Sequence, residues 1–201
     1  MTMARLLHFP ASEIRRREAD GRSDADLLAG CAAGERGAMG ALFDRHGGPV
    51  QRFLYRLRGA GPDVDDLLHA TFIEAFRSAK RFRGRAQVRT WLFGIAVNIS
   101  RRDLRGEDRR RAFLALWAER PRDGGTRPDH LVEHQQLVAR MVDVLARLPH
   151  DLRAAYLLCE VEGLSGAEAA QALGVRPGTL GRRLYDARQA LRAAMGEGVG
   201  Q

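Results

Sequence analysis

Cysteine is scarce in this sequence, and the motifs that usually mark an enzyme are missing. The 201 residues include two cysteines, Cys31 and Cys159, which lie far apart and outside any CxxC or Cys/His cluster. This spacing signals neither a zinc site nor a disulfide framework, and it predicts reduced cysteines with a packing role. There is no glycine-rich phosphate loop, no metal-spaced cluster and no recognisable Ser/His/Asp arrangement. We therefore expect no catalytic activity, no cofactor, no metal and no small-molecule substrate.

Long apolar runs are also missing. The N-terminal stretch MTMARLLHFPASEIRRREADGR has no apolar core long enough for a signal peptide, and no later run reaches the length of a membrane span. We expect a cytoplasmic protein without membrane insertion. Residues 1–22 are interpreted as an extension that is either disordered or a short amphipathic helix.

Acidic residues are fewer than basic ones, and this imbalance indicates the kind of partner. The chain has 33 Lys and Arg residues against 25 Asp and Glu, a formal charge of +8 and an isoelectric point near 10.7. Its length allows one or two small domains, and its charge predicts a polyanionic partner, for which nucleic acid is the first candidate.

From Ser23 onward, apolar residues recur at helical spacing. Ser23 or Asp24 is the expected N-cap of a first helix, whose apolar stripe opens with Leu27, Leu28 and Cys31. The string GERGAMGALFDRHGGPVQRFLYRLRG then predicts a turn and two helical segments that break near residues 47–49. His46, a lone histidine at a helix end, is interpreted as structural rather than as a catalytic or metal-binding residue.

The stretch from Gly61 to Phe76 predicts an acidic helix. Pro62 suits a first helical position, and several aspartates crowd against the positive end of the helix dipole. Asp66 and Glu74 should face solvent or a partner. The buried stripe should consist of Val64, Leu68, Phe72, Ala75 and Ala79.

The charge then changes sign in a loop and a second helix. The loop surrounds Phe82 and Gly84 with the cations Lys80, Arg81, Arg83, Arg85 and Arg89. The helix VRTWLFGIAVNISRRDLR should place Val88, Leu92, Ile95 and Ile99 on one face, and Trp91, Asn98, Arg101 and Arg105 on another. Aromatic side chains accept unstacked bases at about 1–3 kcal/mol each, and arginines hold phosphates. The stretch is thus either a surface for single-stranded DNA or an ordinary helical hairpin whose Trp91 is core.

The composition changes again after Arg105. Residues 106–130 carry clustered charge, glycine and proline around a small apolar island near Trp117, and they predict a flexible linker. Some twenty extended residues could span roughly 65 Å. That length corresponds to nearly two helical turns of duplex DNA at roughly 34 Å per turn.

Residues 131–195 predict a second helical domain, followed by a tail at residues 196–201. In GLSGAEAAQALGVRPGTLGRRLYDARQALR, Ser165 and Glu168 have the spacing of a capping box, Gly174 should end a short helix, and Pro177 should begin the next. This is a helix-turn-helix pattern, whose second helix has a basic leading end suited to base edges and phosphates in the major groove.

Both parts of the sequence resemble one family. DVDDLLHATFIEAF, the RFRG loop and TWLFGIAVNISRRDLR are similar to the second conserved region of bacterial sigma factors of the extracytoplasmic-function (ECF, group IV) type. GLSGAEAAQALGV and the helix after it resemble the fourth region. The resemblance implies an all-α protein with an N-terminal helical bundle at residues 23–105, a C-terminal helix-turn-helix domain at residues 131–195, and a flexible linker between them. It also implies binding to core RNA polymerase, promoter-specific initiation and promoter melting.

The resemblance assigns roles to individual residues. Those implied to dock on core polymerase are Asp63, Asp66, Leu67, Phe72 and Glu74. Those implied to bind the minus-ten element are Lys80, Arg81, Phe82, Arg83, Arg89, Trp91, Asn98, Arg101 and Arg102. Those implied to bind the minus-thirty-five element are Arg176, Thr179, Arg182, Arg183 and Arg188. An anti-sigma factor that covers both DNA-facing surfaces is the further partner we expect.

A helix-turn-helix transcriptional regulator is the alternative hypothesis. In that case residues 23–105 would be a dimerisation or sensing module. The two hypotheses differ in one testable respect, because a sigma factor confers promoter-specific initiation on bare core polymerase and a regulator requires the holoenzyme.

Overall fold

The computed structural model describes residues 21–59, 63–84, 86–115 and 143–196. The helices of the N-terminal domain are α1 Asp24–Ala33, α2 Arg36–Arg58, α3 Val64–Ser78 and α4 Val88–Ala115. Those of the C-terminal domain are α5 His150–Tyr156, α6 Gly166–Leu173 and α7 Pro177–Gly196. Short helical turns cover Ala79–Arg81 and Leu157–Val161, and no strand occurs within the described ranges. The predicted all-α architecture with two helical domains is confirmed.

Several predictions concern segments that lie outside the described residues. These are the N-terminal extension up to residue 20, most of the linker including the apolar island near Trp117, and the end of the C-terminal tail. Within the described ranges, no helix combines the length and the apolar character of a membrane span.

Local hydrogen bonds at the helix ends explain why the predicted boundaries hold. Ser23 caps α1 in a capping box with Asp26, and Ser165 caps α6 in a capping box with Glu168. In α6 the Ser165 hydroxyl accepts from the Glu168 backbone N–H at 3.3 Å, and the Glu168 carboxylate accepts from the Ser165 N–H at 2.9 Å. Gly174 ends α6 with φ of 64°, a left-handed conformation that glycine adopts without strain.

The core of the N-terminal domain is built from one apolar side of each helix. The predicted stripe of α3 is confirmed, since Val64, Leu68, Phe72, Ala75 and Ala79 are all buried. Aromatic rings join the helices, with centroids 4.8 Å apart both for Phe53 with Phe93 and for Phe43 with Phe72. Cys31 is buried in this core and Cys159 is half-buried in the other domain, and burial raises the pKa of both thiols.

His46 has the predicted structural role. It is buried in α2, and its Nε2 lies 2.8 Å from the Asp24 carboxylate at the start of α1. Arg45 donates to the other oxygen of the same carboxylate at 2.6 Å. These two neighbouring side chains therefore tie α1 to the middle of α2.

The predicted break near Pro49 is wrong, because α2 runs without interruption from Arg36 to Arg58. A proline in a helix lacks one N–H donor and clashes with the residue before it. Here the preceding residue is Gly48, which has no Cβ to clash. Leu42, Val50 and Phe53, on both sides of the proline, are fully buried in the same core, and this burial offsets the lost hydrogen bond.

Helix α4 continues ten residues past the predicted start of the linker, to Ala115. Arg58, at the end of α2, donates to Asp103 at 2.7 Å and to Glu107 at 2.9 Å, so α4 is held on both sides of residue 105. The clustered charge that suggested a linker therefore belongs, in residues 106–115, to the end of a helix that Arg58 of α2 holds at Glu107.

The buried face of α4 is also turned from the predicted one. Val88 and Leu92 are buried as expected, but the face continues through Phe93, Ala96 and Val97, while Ile95 and Ile99 are only half-buried. After α5, Leu157–Val161 form a π-helical turn, in which Leu157 and Leu158 are buried and Val161 is 42% exposed.

Replacing Pro49 tests whether α2 is continuous. In Pro49→Ala, the new N–H can bond to the carbonyl of Arg45 and the ring clash disappears, so we expect the free energy of unfolding in urea to rise by about 1–2 kcal/mol. Pro49→Gly is the control and should gain about 1 kcal/mol less, because glycine is a poorer helix former. A break at this position would make Pro49→Ala neutral or destabilising.

Candidate nucleic-acid interface

The N-terminal end of α3 carries an exposed acidic surface. Asp63, Asp65 and Asp66 are all exposed there, beside the positive end of the helix dipole. Glu74 lies further along α3 and is half-buried, with Arg81 at 3.9 Å. We call Asp63, Asp65, Asp66 and Glu74 the acidic face.

Two residues predicted for the same surface lie beneath it. Leu67 is 4% exposed and Phe72 is 0% exposed, and both pack in the core of the N-terminal domain. Apolar side chains at these positions hold α3 against its neighbours and so position the exposed carboxylates of the helix.

The loop after α3 brings cations and aromatic rings together. Lys80, Arg81 and Arg83 are exposed on it. The rings of Phe82 and Trp91 lie 5.1 Å apart at an interplanar angle of 57°, and both side chains are half-buried against the core. We call this pair the aromatic corner. The sequence could not distinguish a core tryptophan from a surface one, and the structure places Trp91 at the boundary between core and surface.

The remaining predicted minus-ten residues follow the same side of α4. Arg89 is exposed, with its guanidinium 5.1 Å above the ring of buried Phe93. Asn98 and Arg102 are exposed, and Arg101 is half-buried. The side of α4 opposite its buried face thus carries an aromatic ring, an amide and several guanidinium groups.

The residues of the recognition helix α7 that were predicted to bind DNA fall into two groups. Arg176, Thr179 and Arg182 are exposed at its leading end, and the side chain of Arg182 is 84% exposed. Arg183 instead donates to Asp151 at 2.6 Å, and Arg188 donates from Nε to Glu160 at 3.2 Å. These two arginines tie α7 to α5 and to the π-helical turn, so they are engaged within the C-terminal domain.

Glu162 joins the two domains from its position just after the π-helical turn. Its carboxylate accepts from Arg89 at 2.6 Å and from Arg56 at 3.0 Å, and its side chain is only 7% exposed. Both arginines belong to the N-terminal domain. Charge-assisted bonds of this kind compensate a carboxylate for the loss of water.

Asp151 and His150 at the start of α5 form a second junction. Asp151 accepts from Arg101 of α4 at 3.0 Å as well as from Arg183. Burial alone would raise the pKa of Asp151, but the charges of Arg101 and Arg183 and the hydrogen bonds outweigh it and lower the pKa. His150 Nε2 lies 3.0 Å from the buried Ser100 hydroxyl of α4. Burial, assisted by the charge of Arg101, lowers the pKa of His150 to about 4.

The two domains approach each other closely at Gly94 of α4. A Cβ added there would lie 2.6 Å from the backbone oxygen of Ala172 in α6, so glycine alone permits this spacing. Beside it is an open cleft of about 160 Å³ whose lining includes Trp91, Asn98 and Gln171. Arg153 adds a hydrogen bond of 2.8 Å to the carbonyl of Leu57.

Sequence reasoning missed this junction entirely. Glu162 and Asp151 are 50 to 106 residues from their partners in the N-terminal domain, so no local spacing connects them. Helix periodicity identifies a buried side of one helix and does not say which distant element covers the other side. Within the described ranges, no group of His, Cys, Asp and Glu residues could hold a metal ion.

Comparison with known families identifies both helical domains. The Sigma-70 region 2 model matches residues 42–110, and the Sigma-70, region 4 model matches residues 139–191. The two domains are thus those of a sigma factor. Sigma factors are transcription initiation factors and not enzymes.

Similarity to individual proteins shows which kind of sigma factor this chain is. The chain is 31% identical over 175 residues to the ECF RNA polymerase sigma-E factor of Haemophilus influenzae, covering 83% of this chain and 92% of that protein. It is 32% identical over 177 residues to the Escherichia coli K12 sigma-E factor, with 84% and 92% covered. The match to ECF RNA polymerase sigma factor SigE of Mycolicibacterium smegmatis is 34% identical and covers 80% of this chain and 64% of that one. This chain belongs to the ECF RNA polymerase sigma factor family.

Solved structures share the fold. CnrH, solved in complex with the cytosolic domain of CnrY, aligns with a TM-score of 0.62 and 26% identity over 87% of this chain and 97% of CnrH. The Bartonella quintana sigma factor RpoE, solved with the anti-sigma factor NepR, aligns with a TM-score of 0.54 and 22% identity over 76% and 92%. The second match supports the fold alone.

The lowered pKa of His150 predicts a pH-dependent stability. Because the folded-state pKa is about 4 and the ordinary value is 6.5, the unfolded chain binds more protons between these pH values, and stability rises with pH across that window. We expect the free energy of unfolding to be lower at pH 5 than at pH 7.5 by about 1–2 kcal/mol from this group.

His150→Gln isolates that contribution, since glutamine retains a polar side chain and does not titrate. The difference between pH 5 and pH 7.5, measured by urea unfolding, should shrink in the variant relative to the wild type. An equal difference in both proteins would show that carboxylates such as Asp151 account for the whole pH effect.

Proposed function

We propose that this chain is a group IV sigma factor that acts in the cytoplasm, binds core RNA polymerase, directs it to promoters and helps to melt the DNA. One observation carries the proposal. The N-terminal domain presents the acidic face, the aromatic corner and a basic side of α4, while the C-terminal domain presents a separate helix-turn-helix with exposed cations. A protein that must hold a large partner and two DNA elements needs surfaces of these kinds.

The acidic face is the proposed polymerase contact. Asp63 and Asp66 are exposed at the end of α3, Glu74 is partly exposed, and Leu67 and Phe72 support them from the core. A concentrated patch of one charge on an otherwise basic chain favours docking on a basic surface and steers association with it.

The aromatic corner and α4 are the proposed minus-ten site. Trp91 and Phe82 offer ring faces on which unstacked bases can stack, and Lys80, Arg81 and Arg83 are exposed beside them for the phosphates. Further along α4, Asn98 can hydrogen-bond a base edge, and Arg89, Arg101 and Arg102 add positive charge. Such a surface favours separated strands because every base has a face that can stack.

The leading end of α7 is the proposed minus-thirty-five site. Arg176, Thr179 and Arg182 are exposed there and can enter a major groove. Arg183 and Arg188, which are ion-paired inside the domain, are proposed to reach DNA only if those pairs are exchanged for phosphate. Base reading in this domain is therefore assigned chiefly to Arg182 and its exposed neighbours.

The domain limits change with the length of α4. We propose that the N-terminal unit, predicted as residues 23–105, includes α4 as far as Ala115, because Arg58 anchors the helix at Asp103 and Glu107. The C-terminal unit remains residues 131–195, and the linker between the two is correspondingly shorter.

An anti-sigma protein is the proposed regulatory partner. CnrH, which this chain resembles along most of its length, was solved in complex with the cytosolic domain of another protein. An inhibitor that covers both DNA-facing surfaces would prevent unprogrammed initiation. Full promoter activity in cells irrespective of the neighbouring gene products would argue against such a partner.

In vitro transcription with purified core polymerase and a library of promoter fragments tests the function. The wild type should direct specific transcripts without any other initiation factor, whereas a helix-turn-helix regulator would produce none. Trp91→Ala should reduce open-complex formation by about tenfold or more, the loss expected for one stacked base. Trp91→Phe keeps a ring and should retain most activity. Equal open-complex formation by both variants would contradict stacking on Trp91.

A separate variant tests the residues proposed to read the minus-thirty-five element. Arg182→Ala removes an exposed guanidinium that can bond a guanine, so preference at one upstream base pair should weaken by about 1–3 kcal/mol while melting is retained. Arg192→Ala removes an exposed arginine near the other end of α7 and is the matched control. If both variants lower all promoters by the same factor, Arg182 contributes general charge and reads no base.

A further inference from the structure

We propose, on the basis of the function proposed above, that Asp186 determines specificity in the recognition helix, because it holds the guanidinium of Arg182 in the orientation that reads a guanine. Asp186 lies one helical turn after Arg182, and its Oδ2 is 3.8 Å from Arg182 Nε. It is the one acidic residue in the sequence of α7, Pro177–Gly196, which also carries four arginines. Asp186 belongs to none of the sites assigned above.

The folding of the C-terminal domain does not account for this pair. Two other arginines of the same helix bond to carboxylates of α5 and of the π-helical turn, and these bonds hold α7 in place. The pair of Arg182 and Asp186 joins two positions of one helix, and the side chains are 84% and 43% exposed. Exposed pairs of this kind contribute little to stability.

The order of the two residues is also the less favourable one for a helix. An acidic residue stabilises a helix more when it precedes the basic residue by four positions, since this order suits the helix dipole. Asp143 and Arg147 have that order in the same domain, and Arg147 donates to Asp143 at 2.7 Å. In α7 the arginine comes first. Helix stability therefore does not explain the carboxylate at position 186.

A carboxylate at this position opposes binding to DNA. Asp186 adjoins a side chain that we assign to the major groove, which is bordered by phosphates, and like charges repel one another. Specificity is a difference between affinities, so a group that lowers the affinity for every sequence can still raise selectivity if it penalises the wrong sequences more. We therefore assign Asp186 a role in selectivity.

The placement of Asp186 relative to Arg182 suits a positioning residue. Side chains in a helix lean toward its N-terminus, so Asp186 leans toward Arg182, and Arg182 leans toward the leading end of α7. The carboxylate lies at Nε and thus leaves the terminal nitrogens Nη1 and Nη2 for the O6 and N7 atoms of a guanine. An arginine without this restraint has many rotamers and can bind neighbouring phosphates instead.

Asp186→Ala tests the proposal in the full-length chain, and Asp143→Ala is the matched control. Each substitution removes one carboxylate of the C-terminal domain that pairs with an arginine four positions away. The change in net charge is the same, and alanine is a good helix former at both positions. Arg182→Ala and the double variant Arg182→Ala/Asp186→Ala complete the set.

The proteins are compared by selection from a library of duplexes randomised over the upstream element, with and without core polymerase, followed by sequencing. The wild type should prefer guanine at one base pair, and Arg182→Ala should lose this preference. Asp186→Ala should weaken the preference by about tenfold, while it binds duplexes of every sequence more tightly at low salt. Asp143→Ala should keep the wild-type preference.

The double variant distinguishes positioning from direct reading of a base. If Asp186 acts through Arg182, the double variant should have the same base preferences as Arg182→Ala alone. A carboxylate can also accept from the amino group of cytosine. A preference for cytosine that disappears with Asp186 whether or not Arg182 is present would show such direct reading and would overturn the proposal. An Asp186→Ala profile identical to that of the wild type would also overturn it.

Transcription with core polymerase separates this proposal from the proposed function. If Asp186→Ala weakens the guanine preference through Arg182 but the wild type initiates no transcripts, the positioning role stands and the sigma assignment fails. If the wild type initiates at specific promoters and Asp186→Ala has the same preferences, the sigma assignment stands and the positioning role fails. If the wild type selects no sequence with or without polymerase, the positioning role and the reading of the minus-thirty-five element both fail.

Discussion

The burial of one side of α4 is the constraint on which the described structure depends. Leu92, Phe93, Ala96 and Val97 are fully enclosed by the other helices of the N-terminal domain, which fixes the rotation of α4 about its axis. That rotation decides that Trp91, Asn98 and Arg101 face outward together. It also brings Gly94 to the surface, where α6 can approach it. The side of α4 that we propose to face DNA is thus set by packing on the opposite side of the helix.

The second physical constraint is the repulsion between arginines where the two domains meet. A chain of net charge +8 repels itself, and its arginines lie close together where α4 faces the C-terminal domain. The carboxylates of Glu162 and Asp151 reduce this repulsion, because each one is shared between two arginines. Such pairs are weak when exposed to water and depend on burial and hydrogen bonding for their strength. Arginine uses the same N–H groups to bind carboxylate and phosphate, so the chemistry that joins the domains is also the chemistry of phosphate recognition.

The errors of the sequence interpretation have a common physical origin. A proline after two glycines predicts a break, yet the apolar residues on both sides of Pro49 share one core and the helix continues. Clustered charge after Arg105 predicts a linker, yet Arg58 pairs with Asp103 and Glu107 and extends α4. In each case a contact from another helix decided what local propensity left undetermined.

What the sequence determined by itself was local. The N-cap at Ser23, the capping box at Ser165, the end of α6 at Gly174 and the apolar stripe of α3 depend on residues within a few positions of one another, and all were predictable. The acidic and basic surfaces were visible for the same reason. The tertiary structure alone decided which arginines are engaged, because Glu162 and Asp151 find partners 50 or more residues away only when both domains are folded and face each other.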